Sequence, residues 1–203
     1  MGASARDVRV LAAMARALNS RNVRRNGRPA LPPLLFFTDP KRTPDPVASA
    51  ARLPPAAAIV YRHFGAPDRL AIARRLQRLC NARRLKLLIG ADPALAQRVG
   101  ADGVHLSERL AHRAKALRQA HPNWLITVAA HRRAYSCPGA DALVLAPVLP
   151  SGSPSAIRPL GARQGNAMAR RAAIPVYALG GVNARNAARL GAFAGLAAIE
   201  GLA

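Results

Sequence analysis

Eight short apolar runs recur from Leu34 onward: LLFFTD (34–39), AAAIVYRH (56–63), KLLIGA (86–91), GVHLS (103–107), LITVAAH (125–131), ALVLAP (142–147), IPVYALGG (174–181) and GLAAIEGL (195–202). Most are continuously hydrophobic instead of alternating, the pattern of parallel strands covered on one side by helices and filled on the other. Helical spacing separates them, near Asp45 to Arg52, Pro67 to Arg84, Pro93 to Val99, Glu108 to Ala120 and from about Asn183. Strand and helix thus alternate throughout, which predicts a closed (β/α)8 barrel, a fold that needs about 200 residues at its smallest. A doubly wound open sheet is the rival. The last run reaches the end of the chain, so the eighth outer helix is expected to be missing.

The segment from Ala5 to Arg25 supplies a candidate replacement. Val8, Leu11, Ala12, Ala15 and Leu18 fall at helical spacing between arginines, so an amphipathic basic helix is expected to cover strands one and eight. Asn26-Gly27-Arg28-Pro29 and Pro32-Pro33 then break the helix. The domain organisation read here is residues 1–30 as helix and linker and residues 31–203 as the barrel. No run approaches the roughly 20 apolar residues that span a bilayer, and no secretory block opens the chain, so a soluble protein away from membranes is expected. Cys80 and Cys137 form neither a disulfide framework nor a CxxC knuckle, which suits a reducing compartment.

The formal charge of +22 invites a nucleic-acid reading. The arginines are dispersed, however, as in Arg74-Arg75, Arg83-Arg84, Arg132-Arg133 and Arg170-Arg171, and aromatics make up 4% of the chain, too few for a stacking platform. Solvated helix faces are the expected reading, and nucleic acid is not an expected partner.

In a β/α barrel, chemistry sits at the C-terminal strand ends. Those ends carry Thr38-Asp39, Arg62-His63, Gly90-Ala91-Asp92, His105, Ser107-Glu108, His131, Ser151-Gly152-Ser153, Gly180-Gly181 and Glu200. Gly180-Gly181 after a strand and before a helix would bring backbone N–H groups to an anion. An ordinary tight turn is the equal alternative from these residues alone.

The order of the pieces is itself informative. TDP after the first strand, VGADGVHL at the fourth, a histidine after the fifth, GADALVLAPVLPSGSP at the sixth and IPVYALGGVNARNAARLGA at the seventh resemble the thiamine phosphate synthase superfamily, which includes thiazole tautomerases. The resemblance runs from about Leu34 to Leu202. It implies a cytoplasmic transferase of thiamine biosynthesis, joining a pyrimidine methyl diphosphate to a thiazole phosphate and expelling diphosphate with magnesium help. A homodimer through barrel faces is compatible with it.

Carried over by position, the family's Gln-Leu-Arg-Glu-Lys becomes Val60-Tyr61-Arg62-His63-Phe64, which keeps Arg62 for a diphosphate, loses the lysine and sets His63 beside it. Its Asn-Asp falls on Gly90-Ala91, and its second magnesium carboxylate falls near Leu110. Asp92 and Glu108 are the nearest acids left for Mg2+, which wants hard oxygen ligands in near-octahedral geometry. Ser151-Gly152-Ser153-Pro154 keeps two hydroxyls of the family's Thr-Pro-Thr-Lys loop without its cation, and Arg132, Arg133 and Arg158 are candidate replacements. Gly180-Gly181 matches the thiazole-phosphate turn, and Glu200 stands on its opposite wall, where a carboxylate either turns away or repels the phosphate. His131 matches the proton-transfer histidine of the tautomerases, whereas His105 within GVHL is read as structural. Three readings follow: a divergent synthase using Arg62, His63, Ser151, Ser153 and the Gly180 turn; a metal-free proton-transfer enzyme using His131; and a non-catalytic barrel that binds a ligand or polyanion.

Overall fold

Two apolar cores, one inside the sheet and one outside it, organise the computed structural model, which describes residues 3–27, 31–152 and 158–202. The runs become eight parallel strands: β1 (Leu34–Phe37), β2 (Ala58–Tyr61), β3 (Lys86–Gly90), β4 (Gly103–Leu106), β5 (Leu125–Ala130), β6 (Ala142–Leu145), β7 (Val176–Ala178) and β8 (Gly195–Ala198). Each pairs with the next, and β8 closes on β1 with Leu35 opposite Ala197. Because strand side chains alternate between faces, Leu35, Phe37, Ala58, Val60, Leu88, Val144 and Tyr177 fill the barrel, while Phe36, Ile59, Leu87 and Ile89 join the outer core under the helices. Burial on both faces explains the continuous apolar runs. The open-sheet alternative is excluded by closure.

The outer layer consists of α1 (Ala5–Asn26), α2 (Pro46–Ala50), α3 (Arg69–Arg83), α4 (Pro93–Val99), a 3-10 turn at Glu108–Arg113 leading into α5 (Ala114–Ala120), and α6 (Gly161–Arg171). The N-terminal helix forms because Ser4 caps it by accepting from Asp7 N, and Gly27 ends it in the left-handed region. Its stripe of Val8, Leu11, Ala12, Ala15 and Leu18 is buried in the outer core with Leu34 and Leu196. Asn19 adds a hydrogen bond from Nδ2 to Ala194 O at 3.3 Å, just before β8. The helix therefore lies against β8 and β1, as its pattern predicts.

One expected helix is absent. From Asn183 the chain turns instead, with a short 3-10 turn at Ala187–Arg189. Asn183 Oδ1 accepts from Arg185 N and Asn186 Oδ1 accepts from Asn183 N, both at 3.0 Å, so the side chains compete with the helical ladder. After β5 the chain crosses to β6 as a loop. There Tyr135 donates to Ala129 O at 2.9 Å, Cys137 is buried, and Gly139 approaches Ala114 O so closely that a Cβ would lie 2.6 Å away. Pro138 and that tightly packed glycine are incompatible with a helix. Both cysteines are unpaired and buried, and burial pushes the Cys80 thiol up to about 12, so they behave as apolar filler. No helix among the described residues is long and apolar enough to cross a membrane.

Candidate active site

The ends of β1 and β2 form one unit. Thr38 is fully buried, and it ties the two strands by accepting from Arg62 N on Oγ1 at 2.9 Å and from Arg62 Nε on its carbonyl at 3.1 Å. Strand alternation carries Arg62 to the inner face two residues beyond Val60, where its guanidinium lies 5.1 Å from the Phe37 ring centre. Burial draws the Arg62 pKa below its usual value and Asp39 opposes the shift; an arginine nonetheless stays charged at neutral pH.

Asp39 organises the following loop. Its Oδ1 accepts from Lys41 N and Arg42 N, and Oδ2 accepts from Arg42 Nη2 at 2.9 Å. Burial works against ionisation here, but the bonds and charge of Arg42 outweigh it and hold the carboxyl at about 2. Arg42 is thereby fixed at the barrel mouth, and its Nε lies 4.0 Å from Glu200 Oε1.

On the far side, His105 packs edge-on against Phe37, and its Nδ1 lies 3.0 Å from the Thr127 hydroxyl. Burial, reinforced by Arg62 and His131, lowers its pKa to about 3, so it is neutral at physiological pH. His131 lies directly after β5, with Nδ1 2.9 Å from Ala146 O. A carbonyl only accepts, so Nδ1 carries the proton in the neutral ring and Nε2 holds the basic lone pair. That Nε2 is 3.9 Å from Glu108 Oε2.

The Gly180-Gly181 turn completes the wall. Gly180 and Gly181 have φ of +97° and +64°, and a Cβ at Gly181 would lie 2.1 Å from Pro150 O. Only glycine fits there. The loop after β6 packs on this turn through Val148 N to Leu179 O and Leu149 N to Gly180 O. Among the described residues no carbonyl accepts from the N–H groups of Gly180, Gly181, Glu200 or Gly201. Two short turns thus present free donors, although the helix dipole that the sequence led us to expect behind Gly181 is missing.

A cavity of about 540 Å³ opens between these elements, lined by Arg42, Arg62, His105, His131, Ser151, the Gly180-Gly181 turn and Glu200, with Phe37, Val144 and Leu179 as apolar walls. Asp7 and Arg185 join it from α1 and from the loop after β7. The structure thus brings together Arg62, His131, Ser151, Gly180, Gly181 and Glu200. Ser153 lies outside the described residues.

Three expectations are corrected. His63 does not line the cavity: the alternation that turns Arg62 inward turns His63 outward, where it is 5% exposed with its ring 5.2 Å from that of Tyr61. The cations that line the cavity beside Arg62 are Arg42 and Arg185, whereas Arg132, Arg133 and Arg158 are exposed outside the lining. Asp92 is already engaged within the fold. Its Oδ1 caps α4 by accepting from Leu95 N, and its Oδ2 pairs with Arg69 Nη1 at 2.5 Å. Glu108 faces His131 instead. Asp39 and Asp92, the carboxylates at the ends of β1 and β3, are each engaged by an arginine, so this donor set does not present there the pair of free hard oxygen ligands that Mg2+ takes beside substrate phosphates.

Arg42 was the residue that strand-end reasoning missed, since it lies beyond the strand; the Asp39-to-Arg42 spacing of three was its only signal. Asp7 and Arg185 had none.

Comparison with known proteins agrees with this geometry. A family model described as Thiamine monophosphate synthase matches residues 34–202. The chain is 34% identical to the thiamine-phosphate synthase of Alcanivorax borkumensis over 173 residues, covering 77% of each. It is 37% identical to the putative thiamine-phosphate synthase of Geobacter sulfurreducens over 122 residues, spanning 58% of this chain but only 57% of that relative. Among solved structures, the thiamine phosphate pyrophosphorylase from Pyrococcus furiosus superposes with a TM-score of 0.68 at 26% identity, covering 82% of this chain and 84% of its own. Motif order, barrel closure, mouth cavity and a match running from β1 through β8 agree, and the chain belongs to the thiamine monophosphate synthase family.

Proposed function

We propose that the chain is a transferase of the synthase type, joining a pyrimidine methyl diphosphate to a thiazole phosphate in this cavity. The observation that carries the reading is the pairing of two anion-suited walls, Arg42 with Arg62 on one side and the Gly180-Gly181 turn on the other, across apolar Phe37, Val144 and Leu179. The free N–H groups of the turn hold the thiazole phosphate, with Ser151 beside it. The apolar walls exclude water and stack the rings near one another.

In the reaction the thiazole nitrogen attacks the methylene carbon. Its lone pair forms the new C–N bond as the C–O bond to diphosphate breaks, and the electrons leave with the diphosphate. The nitrogen becomes quaternary and no proton changes hands, so no general base is needed. Negative charge grows on the leaving diphosphate, where Arg62 and Arg42 offer guanidinium forks. Glu200 lies near Arg42, which offsets its repulsion of phosphate.

Thiamine phosphate formation by the purified chain tests the reading. Turnover is expected, and Arg62→Ala is expected to lose about 100-fold or more in kcat/KM. No product from folded protein refutes it. The weight then moves to a second reading, isomerisation of a thiazole by His131, which is supported by the Ala146 bond that leaves the Nε2 lone pair available on a residue lining the cavity.

A further inference from the structure

All nine Asp and Glu side chains of the sequence lie among the described residues. Asp102 and Asp141 bond Leu87 N and Ile126 N near the start of β3 and β5, at the far end of the barrel. At the mouth, Asp39 is held by Arg42, Glu200 lies near the same arginine, Glu108 faces His131 and Asp7 accepts from Ser4 Oγ, while Asp45 caps α2 and Asp68 precedes α3. Only Asp92 stands at the end of β3.

Arg69 already occupies the cation position opposite Asp92. Its Nη1 meets Oδ2 at 2.5 Å, its Nη2 donates to Gly90 O at 3.1 Å, and its guanidinium lies 5.6 Å from the Phe64 ring centre. The side chain is 18% exposed and begins α3, whose register is set by the buried Ala73, Leu76 and Cys80. A metal ion on Oδ2 would compete with Arg69 Nη1, and one on Oδ1 with the cap of α4.

Resting on the synthase reading, we propose that this barrel holds its diphosphate-bearing ligand without a divalent metal ion. Arg42 and Arg62 supply the positive charge, and Arg69 keeps Asp92 neutralised. Guanidinium forks match phosphate oxygens bidentately and need no preceding metal-binding step.

The probe is inorganic pyrophosphate titrated calorimetrically into the full chain, in EDTA and in MgCl2, compared at equal free pyrophosphate. Mn2+ binding by electron paramagnetic resonance is measured alongside. The expected result is a Kd unchanged within about twofold, no bound Mn2+, and a loss of about tenfold or more in Arg42→Gln and Arg62→Gln, the range for losing a charged hydrogen bond. Bound Mn2+, or a tenfold gain in affinity with magnesium, overturns the proposal and leaves the anion site standing. No pyrophosphate binding in either buffer overturns the proposal and the synthase reading together. The metal arms use the unmodified protein, so they do not depend on any variant folding.

Discussion

Gly181→Ala is the sharpest test of the turn that faces the cavity. At φ +64° an L-residue pays about 1–2 kcal/mol for the left-handed region. Its Cβ would also meet Pro150 O at 2.1 Å. That contact is backbone, so the loop after β6 must move, at an overpacking cost of about 1–3 kcal/mol. The sum is roughly 2–5 kcal/mol. In a chain of this length each kcal/mol shifts Tm by about 2–4 °C, so a loss of roughly 4–20 °C is expected by calorimetry. Displacing the turn should also weaken thiazole phosphate binding, measured by titration at a temperature where the variant remains folded. Gly152→Ala, which meets nothing within 4 Å, is the control. Wild-type Tm and affinity in Gly181→Ala would refute the claim that this geometry requires glycine and shapes the site.

Further outcomes follow from the same geometry. Leu11→Ala, which empties a fully buried position under α1, should cost about 2–5 kcal/mol in urea unfolding; a loss below about 1 kcal/mol would show that α1 is not packed on the barrel. His105 is held at about 3 in the fold against an ordinary 6.5, so the unfolded chain binds more protons between these values and stability should fall as pH drops through that window; His105→Asn should flatten this part of the pH profile, and an unchanged slope would refute the assignment. Asp39, held at about 2, contributes stability above its unfolded pKa of 3.8 that is lost as pH falls toward 2, and Asp39→Asn should remove that step in acid titrations followed by circular dichroism. His131→Asn should leave coupling turnover within about tenfold of wild type, because the synthase step moves no proton, whereas a loss of about 100-fold or more would favour proton-transfer chemistry.

The sequence by itself determined the barrel, because burial on both faces leaves a mark on every strand: eight runs without alternation, each closed by a polar or glycine end. It also determined the family motifs and the stripe of α1, since periodicity and turn chemistry are local. Local signals misled where side chains competed with the backbone, as at Asn183 and Asn186. Tertiary structure alone decided which polar residues meet. One residue of alternation separates Arg62 in the cavity from His63 behind it. A helix register places Arg69 on Asp92. Arg42, Asp7 and Arg185 reach the mouth from elements far apart in sequence. A site of this kind is a set of distances across a closed sheet, and no period along the chain encodes a distance across it.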